Sequence, residues 1–374
     1  EREDKLSKAW SPIGHLNAVV NSDELRNAYT EALQLLTEYS TEVSQNKKLF
    51  QAYETLLASE EFDRLTVPQQ KTISNSVRDF KLAGVGLEEK NKQRYGEIKQ
   101  RLSELSTQFS NNVLDATQSW YKVVASKQEL IGLSEAAIAA AKQAAENKGL
   151  EGYAITLDIP SYLAVMTYAE NRDLREEIYR AYATRASSLG RAIDENVDAK
   201  KWDNSPLITE ILSLKHELAN LLGFKNYAER SLATKMASTQ EEVLDFLNEL
   251  AETAMPAAKE EMSELKSFAK NEYGVEELSA WDIPYYSEKR REAVFALSEE
   301  ELRPYFPATK VIDGLFEVAG KLFNVSVEKD SGVETWHPDA NFYSIKRNGK
   351  IIAGFYLDIY ARENKRGGAW MDEC

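Results

Sequence analysis

Phe342-Tyr-Ser-Ile-Lys-Arg-Asn-Gly-Lys-Ile-Ile-Ala-Gly-Phe-Tyr-Leu-Asp-Ile-Tyr360 decides the fold class by its contrast with everything before it. Two runs rich in aromatic and β-branched residues flank Asn348-Gly349, a pair that readily takes the positive φ values of a two-residue type I′ turn. Residues near 342–347 and 350–359 are therefore expected to form an antiparallel hairpin. Upstream, as far as about residue 320, the period is mostly helical. Ile98, Leu102, Leu105, Phe109 and Val113 recur at spacings of three and four, which puts them on one face of a long amphipathic helix and turns Lys99, Arg101 and Glu104 elsewhere. The fold class is mainly α, with a small antiparallel β-sheet near the C-terminus.

Local signals divide the helical part. Asn21-Ser-Asp-Glu24 offers caps, Val67-Pro68 fits a helix start because proline is tolerated in the first turn, and Gly84-Val-Gly86 reads as a terminator. Trp120 to Val124 and Tyr153 to Asp158 alternate like strands and flank an alanine-rich helix that Ser134 can cap and Gly149 can end; they are expected to pair. Pro160 should hold Ile159 extended and close the second run. Ser238-Thr-Gln-Glu241 has capping-box spacing, which predicts a helix start near Ser238. Residues 185–206 are the best loop or hinge. Two regions result, 1–160 helical with a short β pair, and 161–374.

At 374 residues the chain is long enough to bury a substantial core, in one large or two packed units. A 43% hydrophobic and 29% charged composition is too apolar for disorder. The net charge of -15, with basic and acidic residues interleaved, argues against nucleic acid as a partner. No apolar run approaches the roughly 20 residues of a membrane span, and residues 1–20 lack a signal-peptide pattern, so no membrane partner and a cytoplasmic address are expected. The one cysteine, Cys374, cannot form an internal disulfide. The chain opens at Glu1 without Met and stops in what reads as a second strand, Gly367 onward, so it is expected to be a fragment.

The inventory for catalysis is thin. His216-Glu-Leu-Ala-Asn220 approaches a helical metal motif, but such a site needs histidines at i and i+4 so that both rings face one ion, and position 220 is Asn. His337, in Trp336-His-Pro-Asp339, reads as a turn held by local hydrogen bonds, and His15 as a helix-surface or core residue. No catalytic or metal-ligating residue is assigned. Phosphate-binding glycine loops and a Gly-x-Ser-x-Gly elbow are absent from the sequence. Three segments stand out: Trp281-Asp-Ile-Pro-Tyr-Tyr286 and Arg303-Pro-Tyr-Phe-Pro307, which read as core corners, and Asp358 to Ala369. In the last, two glycines followed by Ala let a backbone approach closely, as an edge strand must if an extended peptide is to add to it.

Tyr153-Ala-Ile-Thr-Leu-Asp-Ile-Pro-Ser-Tyr-Leu-Ala-Val-Met166, Leu174 to Arg185, Leu221 to Tyr227, Ser231 to Ala237, Trp281 to Tyr286 and Gly354 to Trp370 together resemble, in the same order, the oligopeptidase A, thimet oligopeptidase and neurolysin family of zinc metallopeptidases. The resemblance runs over essentially the whole chain. It implies a multi-helical, neurolysin-like, two-lobed architecture enclosing a channel for short unstructured peptides, with 161–374 the first part of the catalytic region. It also implies zinc in the complete protein, held by a His-Glu-x-x-His helix and a later Glu that would belong to a missing C-terminal half. Gly367, Gly368, Ala369 and Trp370 resemble the family's edge strand beside the zinc, against which substrate lies, with Lys365 and Arg366 at its rim. The resemblance implies a fragment inactive alone; the alternative is a helical binding or scaffold module without chemistry.

Overall fold

The computed structural model describes residues 2–190 and 198–373. Part of the 185–206 loop, and Cys374, lie outside the described residues. The first 118 positions form α1 (Arg2–Val19), α2 (Asp23–Ser44), α3 (Lys47–Leu57), α4 (Glu60–Asp63), α5 (Val67–Leu82) and α6 (Glu89–Gln118). Ser22 caps α2 by accepting from the Leu25 N–H, Pro68 sits in the first turn of α5, and Gly84 follows α5 at φ 78°. Of the α6 stripe, Ile98 and Leu105 are fully buried.

β1 (Tyr121–Val124) and β2 (Tyr153–Thr156) pair antiparallel, with Tyr121 opposite Thr156, around α7 (Glu135–Asn147), which Ser134 caps. Next come α8 (Ile159–Tyr168) and α9 (Arg172–Thr184). Here one expectation fails: Ile159 opens α8 and Pro160 lies in its first turn, while the extended residue is Asp158 at ψ 139°. Proline's fixed φ suits the start of a helix, so the pair begins an element as well as ending one. The two strands, α7, α8 and α9 share one core, in which Val124, Leu130, Leu157, Val165 and Ile178 are almost completely shielded from water.

The chain continues through α10 (Ser205–Leu221), α11 (Tyr227–Leu232) and α12 (Gln240–Tyr273). Tyr95, Ile98 and Leu218 lock α10 to α6. The cap of α12 is Thr239, which accepts from the Glu242 N–H while the Glu242 carboxylate accepts from the Ser238 N–H, one residue later than expected. Then α13 (Ile283–Phe295), α14 (Glu299–Leu302) and α15 (Ala308–Phe323) lead into the sheet. The Trp281–Tyr286 segment is a core corner. Asp282 is fully buried and accepts from Arg172 (2.7 Å) and from the equally buried Arg175 (3.0 Å), whose guanidinium lies 4.2 Å from the Tyr285 ring. Burial pushes the Asp282 carboxyl up, but its bonds from Arg172, the Ser279 N–H and Arg175 hold it below its ordinary value. Arg303–Pro307 is no such corner, since Tyr305 and Phe306 are both exposed.

β3 (Ser326–Lys329), β4 (Asn341–Arg347) and β5 (Lys350–Leu357) form an antiparallel sheet in that order. The hairpin falls where the sequence puts it, with Asn348 at φ 51° and Gly349 at φ 73°, and a bulge at Ile345/Lys346. Gly354 stands opposite Ser344, and the Phe342 ring lies over it: a Cβ there would come within 2.4 Å of the ring. β5 is an open edge. Among the described residues no helix is long and apolar enough to cross a membrane.

Candidate functional site

The segment after β5 folds back on itself around one carboxylate. Asp358 accepts from both terminal nitrogens of Arg362 (2.7 and 2.8 Å), from Lys365 Nζ (2.9 Å) and from Trp336 Nε1 (2.9 Å). Lys365 also donates to the Asp358 and Tyr360 carbonyls. Burial alone pushes the Asp358 carboxyl up; the bonds from Arg362, Lys365 and Trp336 outweigh it and hold the group well below the usual carboxylate range. The charged run after β5 is therefore a closed knot. Lys365, expected at the rim, points inward, its side chain only 10% exposed.

The knot is tied to the other end of the chain. Arg366 N–H donates to the Ala18 carbonyl (2.8 Å), Arg362 Nη2 to the Val19 carbonyl (3.0 Å), and Asn21 N–H to the Asn364 carbonyl (3.0 Å). Carbonyls in the last turn of a helix lack intrahelical partners, so residues 362–366 act as the C-terminal cap of α1. Lys148 adds an ion pair to Glu363 at 2.5 Å.

Downstream the expected strand is not formed. Residues 367–370 are irregular, Gly368 sits at φ 95°, and among the described residues their backbone groups pair with no other backbone group. A strand exists only through a neighbour's ladder, and among the described residues none stands beside this segment. Gly367, Gly368 and Ala369 are exposed, and a Cβ added at either glycine would meet open space. Trp370 is half-buried, 5.6 Å from both the Arg366 guanidinium and the His15 ring. His15 in turn meets Trp336 edge-on at 4.5 Å, Trp336 meets Tyr356 at 4.8 Å, and Tyr356 meets Phe342 at 4.8 Å. An aromatic file thus runs from the hairpin to the exposed glycines.

The other histidines stand apart. His216 lines an open cleft of about 480 Å³ with Asn91, Ser213 and Glu217, and Glu217 is engaged by Arg94 at 2.7 and 2.9 Å. His337 Nδ1 accepts from the Asp339 N–H at 3.2 Å, the local turn that the sequence suggests. Among the described residues no group of three or more His, Cys, Asp or Glu is placed to hold a metal ion. These side chains do not fit a zinc site, and no metal-bound chemistry is assigned to them. Reading the sequence did not find Asp358 as a hub or His15 as a neighbour of Trp370. The Asp358/Arg362 spacing was a usable signal for the first; the second joins residues 355 positions apart and has none.

A family model described as peptidase family M3 matches residues 165–374, and one described as the neurolysin/thimet oligopeptidase N-terminal domain matches residues 1–92. The chain is 56% identical over its whole length to oligopeptidase A of Haemophilus influenzae, covering 54% of that protein. It is 53% identical to oligopeptidase A of Escherichia coli, again over 100% of this chain and 54% of the relative. With a probable cytosolic oligopeptidase A of Arabidopsis thaliana it shares 41% identity over 99% of this chain and 53% of the relative. The chain spans about half the length of the curated relatives it matches.

Proposed function

Because the chain belongs to peptidase family M3, we propose that it is part of a zinc-dependent endopeptidase that hydrolyses short, unstructured peptides inside an enclosed channel, in the cytoplasm. The observation that carries this reading is the family match over residues 165–374, which takes in the Asp358 knot and the exposed segment beyond it. The zinc ligands and the general base are assigned to the part of the relatives' length that this chain does not span. Within the chain, Gly367, Gly368, Ala369 and Trp370 form a wall of the channel. Gly367, Gly368 and Ala369 are exposed, and among the described residues the main-chain groups of all four have no backbone partner, which suits them to meet the backbone of an extended peptide, and the lack of a Cβ at two of the four lets that backbone come close.

The test compares this 374-residue chain with the protein at the full length of its relatives. Full-length protein should retain zinc after dialysis and cleave quenched fluorescent peptides but not a folded protein, and a chelator should abolish the cleavage. The 374-residue chain should do neither. In the full-length protein, Gly368→Val should lower kcat/KM by about tenfold to a hundredfold while zinc content stays the same, since small misplacements of a substrate-aligning group cost that much. A full-length protein that carries zinc and cleaves no peptide would sink the reading; a Gly368→Val variant as active as the unaltered enzyme would sink the wall assignment alone.

A further inference from the structure

The wall residues have no secondary structure of their own to fix them, yet one end of the segment is tied to α1, and His15 on that helix stands against Trp370. We propose that His15 is a positioning residue for peptide binding: from α1 it holds the Gly367–Trp370 segment in the conformation that meets substrate. This rests on the reading of that segment as a channel wall.

Three observations converge. His15 lies one turn before Ala18 and Val19, the residues whose carbonyls receive Arg366 and Arg362, so the ring and the capped carbonyls share one end of α1. Its ring stands against both Trp336, which Asp358 fixes through its indole N–H, and Trp370, at 4.5 and 5.6 Å. Finally, Nδ1 faces the Asp372 carboxylate at 3.7 Å, and the Ser11 hydroxyl, one turn earlier on the helix, donates to the Glu373 carbonyl. α1 therefore touches the segment before, at and after Trp370.

The state of the ring singles it out. Its side chain is 12% exposed, and neither nitrogen has a hydrogen-bond partner, because 3.7 Å is too long for one. Leu or Phe would fill such a place without leaving a buried polar atom unpaired. An imidazole makes sense there if Asp372 closes to about 3.0 Å, which needs only a small shift of the 370–372 backbone. His15 thus wedges the segment through Trp370 and can tighten on it through Asp372.

The test uses His15→Ala and His15→Phe in the protein at full relative length. Alanine is the better helix former, so α1 itself is not weakened. His15→Ala should raise KM for a short peptide about tenfold with kcat and zinc content nearly unchanged, and His15→Phe, which keeps the wedge, should recover at least half of that loss on a logarithmic scale. In parallel, exchange of the Arg366 amide, which is bonded to the Ala18 carbonyl, should become about tenfold faster in the His15→Ala form of the 374-residue chain. A KM within twofold of the unaltered enzyme overturns the proposal. So does a matched loss of kcat and zinc, which marks a purely structural role. If unaltered full-length protein cleaves nothing, the functional reading fails and the substrate role of His15 falls with it, while the exchange measurement still decides whether His15 holds the segment.

Discussion

Asp358 gathers more charge than any other side chain near the exposed segment, and its protonation sets how long the knot survives in acid. The carboxyl titrates below its unfolded value of about 3.9. Its contribution to stability is therefore fully present above that value and is lost as pH falls through the folded one. Exchange protection of the Asn21 and Arg366 amides, the two backbone donors that close the knot on the end of α1, corrected for intrinsic rates, should stay level from about pH 8 to 5 and fall away below about 4. Asp358→Asn keeps the shape, removes the charge and strands Arg362 and Lys365, whose side chains are 13% and 10% exposed. The expected local loss is about 2–4 kcal/mol at neutral pH, and the pH dependence of protection should disappear. Unchanged protection in that variant would mean that the backbone bonds to α1 hold the knot unaided. From sequence, the opposite charges of Asp358 and Arg362 were visible, but not that they turn toward each other, since a charged loop is equally stable with each side chain in water. The Trp336 indole, the α1 carbonyls, the Asn21 amide and Lys148, all far off in sequence, favour the closed form.

Among the elements, those whose geometry is fixed by neighbours in sequence were the legible ones. Asn348-Gly349 sets its own turn, Ser22 and Ser134 cap their own helices, and the α6 stripe follows from helical period alone. The strand expected from Gly367 onward failed for the opposite reason, because strand conformation comes from a partner that composition does not supply. The glycine that matters in the hairpin is Gly354. Gly354→Ala should drive the Phe342 ring from its place and cost about 1–3 kcal/mol, as added volume at a filled site does. Phe342 packs on Tyr356, and Tyr356 on Trp336, so the near-ultraviolet circular dichroism of the aromatic file should fall as well. Adding Phe342→Leu should return part of the stability, giving a coupling that separates the clash from any effect on the strand. Equal costs with and without Phe342 would show that the ring is not the obstacle.

At the scale of the whole molecule, two apolar faces lie open. On α12, Leu244, Phe246, Leu247 and Leu250 are 50–60% exposed, and on α15 Val311, Leu315, Val318 and Leu322 are 47–71% exposed. Contiguous apolar surface of this extent is rare on a soluble monomer. The 374-residue chain should self-associate reversibly in sedimentation velocity, and Leu247→Lys with Leu315→Lys should return it toward monomer; a monomer at about 100 μM in the unaltered chain would contradict this. Helical content and the late sheet were plain in the sequence, whereas the meeting of the two chain ends was not, because no local pattern encodes a contact between Ala18 and Arg366. That meeting bears on how the protein is born. Arg362 and the Val19 carbonyl it caps are 343 positions apart, and ribosomes add about 5–20 residues per second. During synthesis α1 waits roughly 20–70 s for the residues that finish its end, so its final register locks long after its own turns can form, and a chaperone that shields nascent helices would find it still open.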